Sequence, residues 1–208
     1  MTLFTYQRYG FENQFSIKFE NEFENWFHKL ASMMYPNGDC QKIRLTQGDG
    51  NIDSYVISKQ LVFQCYGPQN YSPSKAVEKI VKDFWGAYKH LTGKLKEWVF
   101  VHNHCTGCLD KESIKAINIL KNDIENKGIK VKVSSWGKEN IWNELLEKLS
   151  YNLLRELFGE PTPVELDYNS LEAVLREIEK EEYEPNLDFP NEPDTEKLNF
   201  NSLGPSCK

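Results

Sequence analysis

The sequence predicts an α/β fold in which a mixed sheet is flanked by helices and followed by an acidic helical extension. Two observations carry that prediction. Three short extended segments follow one amphipathic helix in succession, which makes a meander. Two further strands then alternate with helices, and a strand returning after a helical crossover implies parallel pairing with helices on both faces. Up to residue 135 the order is α-β-β-β-α-β-α-β.

The first helix is expected over 17–35. Phe19, Phe23, Trp26, Phe27, Leu30, Met33 and Met34 recur at offsets of three and four and share one stripe. Asn21 is its expected cap, and Pro36-Asn37-Gly38 ends it. Extended segments follow at 42–46, 52–57 and Leu61–Tyr66, the last stopped by Gly67-Pro68. The latter two are rich in β-branched and aromatic residues. A second helix spans 74–91, with Ala76, Ile80, Val81, Phe84, Trp85, Tyr88 and Leu91 as its apolar face. A buried strand covers 98–101. A third helix covers 111–126, with Ile114, Ile117, Leu120 and Ile124 inside and Gly128 closing it. The strict alternation of 129–135 predicts a strand. A fourth helix is expected over 140–158, ending at Gly159. Glu160-Pro161-Thr162-Pro163 reads as a boundary, so residues 1–159 form one domain. Residues 160–208 form an acidic extension with one helix near 170–183.

The 208 residues suffice for one good core, and 39 % apolar with 27 % charged is the composition of a folded, soluble chain. No apolar run approaches the roughly 20 residues that span a bilayer, so no membrane partner is expected. No basic-then-apolar leader opens the chain, and the five cysteines are an odd number. Both point to a reducing, cytoplasmic setting. The formal charge of −6 speaks against a strongly basic nucleic-acid binder. It averages two unlike parts, however. Residues 151–208 hold 5 basic and 14 acidic side chains, which leaves 20 basic and 17 acidic for residues 1–150. The body that holds the candidate chemistry is mildly basic.

That chemistry centres on Gln47-Gly48-Asp49-Gly50-Asn51-Ile52-Asp53 and the strand Leu61–Tyr66. Two Gly and two Asp make a tight turn entering a strand, and Asp53 stands at the strand's start. A hairpin brings Asp53 back beside Gln64, and Gln64 and Tyr66 share a face because strand side chains alternate. A carboxylate and an amide oxygen at one end of a rigid sheet suit a hard divalent cation. Taken alone, Asp49-Gly50-Asn51 is also simply a turn, with residues chosen for backbone reasons.

The pattern Phe23-Glu24 on the opening helix, then Gly48-Asp49-Gly50-Asn51-Ile52-Asp53, then Gln64-Cys65-Tyr66 resembles the core of the PD-(D/E)XK nuclease superfamily, closest to Mrr-type restriction endonucleases. The resemblance implies a restriction-endonuclease-like fold, Mg²⁺ or Mn²⁺ as cofactor and DNA as substrate. On it, Asp53 and Gln64 hold the metal, and Glu24 adds a metal or supporting contact. Tyr66 occupies the place of the family's lysine, two positions after Gln64. A tyrosine there donates a hydrogen bond but carries no positive charge. Lys59, Lys75 and Lys79 are the candidates to supply one and to bind substrate. A narrower resemblance rests on Gln64-Cys65-Tyr66-Gly67-Pro68, Val101-His102-Asn103-His104 with Thr106-Gly107, and Trp136-Gly137. These are similar to nuclease-like modules of bacterial ABC three-component and other anti-phage defence systems. It implies an NTPase-type partner protein, and a tail over 196–208 that begins a further region. Cutting both DNA strands implies a homodimer. The other expectation, from Tyr66, is a catalytically silent nuclease-fold module that binds protein or nucleic acid.

Three further features have plainer readings beside sharper ones. His102-Asn103-His104-Cys105-Thr106-Gly107-Cys108 contains zinc-ligand letters and a Cys-x-x-Cys spacing, yet it also reads as a strand end and turn. Lys75, Lys79 and Lys82 form a stripe that is either a solvated face or a phosphate contact. The acidic run 177–184 is a solvated helix, a mask over a basic groove or a partner contact.

Overall fold

The computed structural model describes residues 3–43 and 52–159. The turn 44–51, the boundary after Gly159, the acidic helix near 170–183 and the tail lie outside the described residues. So do the later residues of the strand expected over 42–46.

The described chain runs α1 (Leu3–Ile17), α2 (Glu20–Met34), β1 (Cys40–Gln41), β2 (Ser54–Val56), β3 (Leu61–Tyr66), α3 (Pro73–His90), β4 (Glu97–His102), α4 (Lys111–Asn126), β5 (Lys132–Trp136), α5 (Lys138–Glu144) and α6 (Tyr151–Phe158), with a 3₁₀ turn at Leu146–Lys148. The strands form one five-stranded sheet in the order β1-β2-β3-β4-β5. β1, β2 and β3 pair antiparallel, while β3, β4 and β5 pair parallel. The α/β class and the mixed sheet flanked by helices are therefore as the sequence predicts.

β3 and β4 are buried on both faces, which is why they read as continuous apolar runs rather than as alternations. Their side chains divide between two cores. Phe63, Cys65, Val99 and Val101 pack with Phe11, Phe15, Phe23, Phe27 and Leu30 on the α1/α2 side. Val62, Trp98 and Phe100 pack with Ile80, Phe84, Ile117, Leu120 and Ile124 on the α3/α4 side. Each fully buried phenylalanine contributes roughly 1.5–3 kcal/mol of transfer free energy.

Four details correct the sequence reading. The helix expected over 17–35 is α2, which starts at Glu20 because Phe19 is extended (φ −132°, ψ 157°) and stands before it as the N-cap; Asn21 lies inside the helix. Ahead of it, α1 was hidden by its sparse apolar spacing. Phe11 and Phe15 are buried one turn apart, Arg8 bonds Glu12 at 2.9 Å, and the Arg8 guanidinium lies 4.9 Å from the Trp142 ring centroid. The first strand is the pair Cys40–Gln41, which ends before the expected start at residue 42.

The helix expected over 140–158 breaks after Glu144 and resumes at Tyr151. At 100° per residue Leu154 would lie about 120° round from Trp142 in a continuous helix, and the break lets both reach the core. On α3, Val81 is 40 % exposed and Asp83 takes a buried place. The stripe that faces the sheet is Ala76, Ile80, Asp83, Phe84 and Ala87.

Candidate active site

The site begins with the β2–β3 hairpin. A turn over Ile57–Gln60, with Gln60 at φ 53°, sets the register Ser54↔Phe63. Asp53 therefore stands opposite Gln64, one residue beyond the last ladder pair. The antiparallel ladder stops at Ser54 and leaves the Cys65 N–H without a backbone acceptor on that side. The Asp53 carboxylate takes it. Cys65 N donates to Asp53 Oδ2 at 2.6 Å, and Gln64 Nε2 donates to the same oxygen at 2.8 Å. The two expected metal-holding side chains thus touch each other. Gln64 is 1 % exposed, and its Oε1 is buried without a donor among the described residues. Such a stranded acceptor costs about 1–3 kcal/mol, so this corner carries bonding capacity that the fold does not use.

The electrostatics follow from burial and neighbours. Burial pushes the Asp53 carboxyl up to about 6; the Cys65 N–H opposes this, Glu24 adds to it, Lys79 opposes it and Asp83 adds to it. Lys79 on α3 bonds Asp83 Oδ2 at 2.7 Å. Burial alone would lower the Lys79 ammonium, but Asp83 and then Asp53 more than offset it, and its pKa is raised. Lys79 also acts on Tyr66, whose hydroxyl is raised first by burial and drawn back by its contact with Ser72 and by Lys79. The Tyr66 ring stacks on Phe100 at 5.7 Å, and its hydroxyl lies 3.5 Å from the Ser72 carbonyl.

The other expected residues divide cleanly. Glu24 on α2 influences Asp53 through space but bonds Lys42 Nζ at 3.0 Å, and Lys42 also reaches Asn25. Its helix is fixed where Phe23 lies on Gly67, just past β3. A Cβ on Gly67 would come within 2.5 Å of the Phe23 ring. Lys59 sits in the turn at the opposite end of the hairpin, beside Asp39, and is not brought to Asp53. Lys75 is exposed on the first turn of α3, one helical turn before Lys79. Sequence reasoning missed Lys42 and Asp83. The signal for Asp83 was present, since it occupies the core-facing stripe with Ala76, Ile80 and Ala87.

The His-Asn-His segment is a strand end and turn. His104 N donates to His102 Nδ1 at 3.3 Å, and Asn103 Nδ2 donates to the Lys18 carbonyl at 2.9 Å. His104 Nδ1 meets Thr106 Oγ1 at 2.8 Å. The Tyr71 hydroxyl donates to Asp110, which caps α4 by accepting from Ser113 N at 3.0 Å. Burial would raise the Asp110 carboxyl, but the Ser113 and Tyr71 hydrogen bonds hold it well below the usual carboxylate range. Burial, then the neighbouring His104, pushes His102 down to about 4, so it is neutral. A Cβ on Gly137 would meet the Gly107 carbonyl at 2.0 Å, so this packing admits only glycine there.

Cys105 and Cys108 are exposed free thiols. Among the described residues no three His, Cys, Asp or Glu side chains group around a point that could hold a metal. Of the two side chains the sequence offers for a cation, Asp53 Oδ2 already accepts from Gln64 Nε2 and Cys65 N, and the Gln64 amide turns its nitrogen rather than its oxygen toward the carboxylate. No helix of the described residues is long and apolar enough to cross a membrane.

Compared with protein-family models, with curated proteins and with solved structures, the chain matches none.

Proposed function

We propose that this chain is a metal-dependent endonuclease-like domain of restriction-endonuclease type, hydrolysing DNA phosphodiester bonds in bacterial anti-phage defence beside an NTPase-type partner. The observation that supports it best is the 2.8 Å contact between Asp53 and Gln64 at the end of β3, with one amide oxygen left unbonded. Asp53 and Gln64 hold Mg²⁺ or Mn²⁺, the amide presenting its oxygen once it turns over. A divalent ion there supplies Lewis-acid charge and lowers the pKa of water.

Lys79 supplies the positive charge that Tyr66 cannot, against the charge growing on the phosphate. Tyr66 contributes a hydroxyl donor and an aromatic wall. Glu24, neutralised by Lys42, tunes the field at Asp53. In the reaction a water oxygen bonds phosphorus, the bond from phosphorus to one ester oxygen breaks, and the water's proton leaves to solvent while that oxygen is protonated. The mild positive charge of residues 1–150 is compatible with a DNA substrate, and cutting both strands calls for two copies.

One observation favours a second reading. Tyr66 stands where the resembled family has lysine, which suits a silent module that binds nucleic acid or protein. Incubating plasmid DNA with the protein and Mg²⁺ or Mn²⁺ separates the two. Nicking that is lost in Asp53→Ala supports the nuclease. A folded protein that binds DNA and cuts nothing with either metal supports the silent module.

A further inference from the structure

Asp83 is the one carboxylate placed on the sheet-facing stripe of α3, and it is 3 % exposed. A charge so buried is retained only when it is paired. Its partner is Lys79, one helical turn earlier, with Nζ 2.7 Å from Oδ2 and a side chain 33 % exposed. The ammonium is therefore anchored by a carboxylate of its own helix, on a side chain that remains partly exposed. Its electrostatic neighbours beyond Asp83 are Asp53 and Cys65, and it acts in turn on Tyr66. All three belong to the β2–β3 corner, and Tyr66 marks where the strand itself lacks a cation.

We infer that Asp83 is a positioning residue: it fixes the Lys79 ammonium at the carboxyl end of β3, where that ammonium meets a backbone phosphate of the nucleic acid. For its substrate this inference rests on the nuclease reading above. A lysine on a four-carbon stem is mobile when unpaired, and the buried carboxylate removes that freedom before substrate arrives. The pair also keeps Lys79 charged in a half-buried place. Asp83 touches no substrate; its whole effect passes through Lys79.

Two measurements on the full chain test this. The first is the NMR signal of the Lys79 side-chain ammonium in metal-free protein. It is expected to be protected from exchange in the wild type, lost in Asp83→Asn, and moved by adding a short DNA duplex. A Lys79 signal indifferent to DNA, or unchanged in Asp83→Asn, overturns the inference.

The second is plasmid nicking with Mn²⁺ as a double-mutant cycle. Asp83→Asn and Lys79→Met each lower kcat about a hundredfold with little change in KM, and the double variant is no slower than Lys79→Met alone. Additive losses overturn the inference and leave the nuclease reading standing. If Asp83→Asn does not fold, Asp83→Glu keeps the charge and moves the ammonium by one methylene. Its kcat falls while its melting temperature holds, and an unchanged kcat counts against the positioning role. A wild type that cuts nothing, yet shows the DNA-dependent Lys79 signal lost in Asp83→Asn, overturns the nuclease reading and keeps the positioning role at a nucleic-acid contact.

Discussion

Two polar clusters lie near the carboxyl ends of the parallel strands, and they are built on opposite terms. Around the loop after β4, His102, Asn103, His104, Thr106 and Asp110, with Tyr71 before α3 and Ser113 of α4, bond one another or the backbone. In the corner at Asp53, a carboxyl is pushed up to about 6, an amide oxygen has no donor among the described residues, and a lysine side chain paired to a buried carboxylate stays partly exposed. The loop carries the letters that look most like catalysis. Its hydrogen-bonding capacity goes into holding a turn and capping α4. Capacity that the fold leaves unused is the better guide to chemistry.

The comparison can be broken most directly by charge removal at Lys79. Lys79→Met is expected to lower plasmid nicking about a hundredfold or more, the scale of losing one charge-stabilising donor. The matching change in the loop, Cys105→Ser with Cys108→Ser, should leave the rate within about twofold, because both thiols are exposed in the turn after β4.

The pH dependence of stability sharpens the contrast next. Asp53 has a raised pKa in the fold, so its contribution to stability is present at low pH and is lost as pH rises from about 4 to about 6. His102 has a lowered pKa, so its contribution is present above pH 6.5 and is lost as pH falls towards 4. Each shift of about two units corresponds to roughly 3 kcal/mol. The two slopes oppose each other, and the wild-type melting temperature should vary little on their account between pH 4 and 6. Asp53→Asn should melt higher than wild type at pH 8, where its charge is a burden, and fall steeply on acidification. His102→Gln should show the reverse slope, with a melting temperature that rises as pH drops. Parallel profiles for the two variants would contradict the assignment of charge to these corners.

A smaller effect is expected at Asp110. Asp110→Ala removes the α4 cap and leaves the Tyr71 and Ser113 hydroxyls with each other in place of the carboxylate, at a cost of about 1–2 kcal/mol in denaturant unfolding. The nicking rate per folded molecule should not change. A rate that fell with stability intact would move the loop into the chemistry.

The two clusters were unequally legible in the sequence. The Asp53–Gln64 contact could be read because a hairpin's register follows from its turn and from strand alternation, and β3 and α4 span the residues expected of them, although Ile114, expected inside, is 48 % exposed. The Lys79–Asp83 pair is half legible: the lysine stripe is visible, while the apolar stripe read from α3 takes in the exposed Val81 and not the buried Asp83. Long-range partners were not legible at all. Lys42 reaches Glu24 across 18 positions, and Asn103 reaches the Lys18 carbonyl across 85. Helix α1 escaped notice because two phenylalanines one turn apart are too few for a periodicity, and its support comes from Trp26, Trp142 and Phe158 elsewhere in the chain.

The central claim is that the Asp53–Gln64 corner holds a divalent ion, and Mn²⁺ binding measured by electron paramagnetic resonance at pH 8 tests it most directly. The wild type should take up one Mn²⁺, with affinity that weakens as pH falls through about 6, because protons compete for the Asp53 carboxylate. Asp53→Asn should lose that binding while remaining folded. Mn²⁺ binding of equal strength in Asp53→Asn would contradict the account.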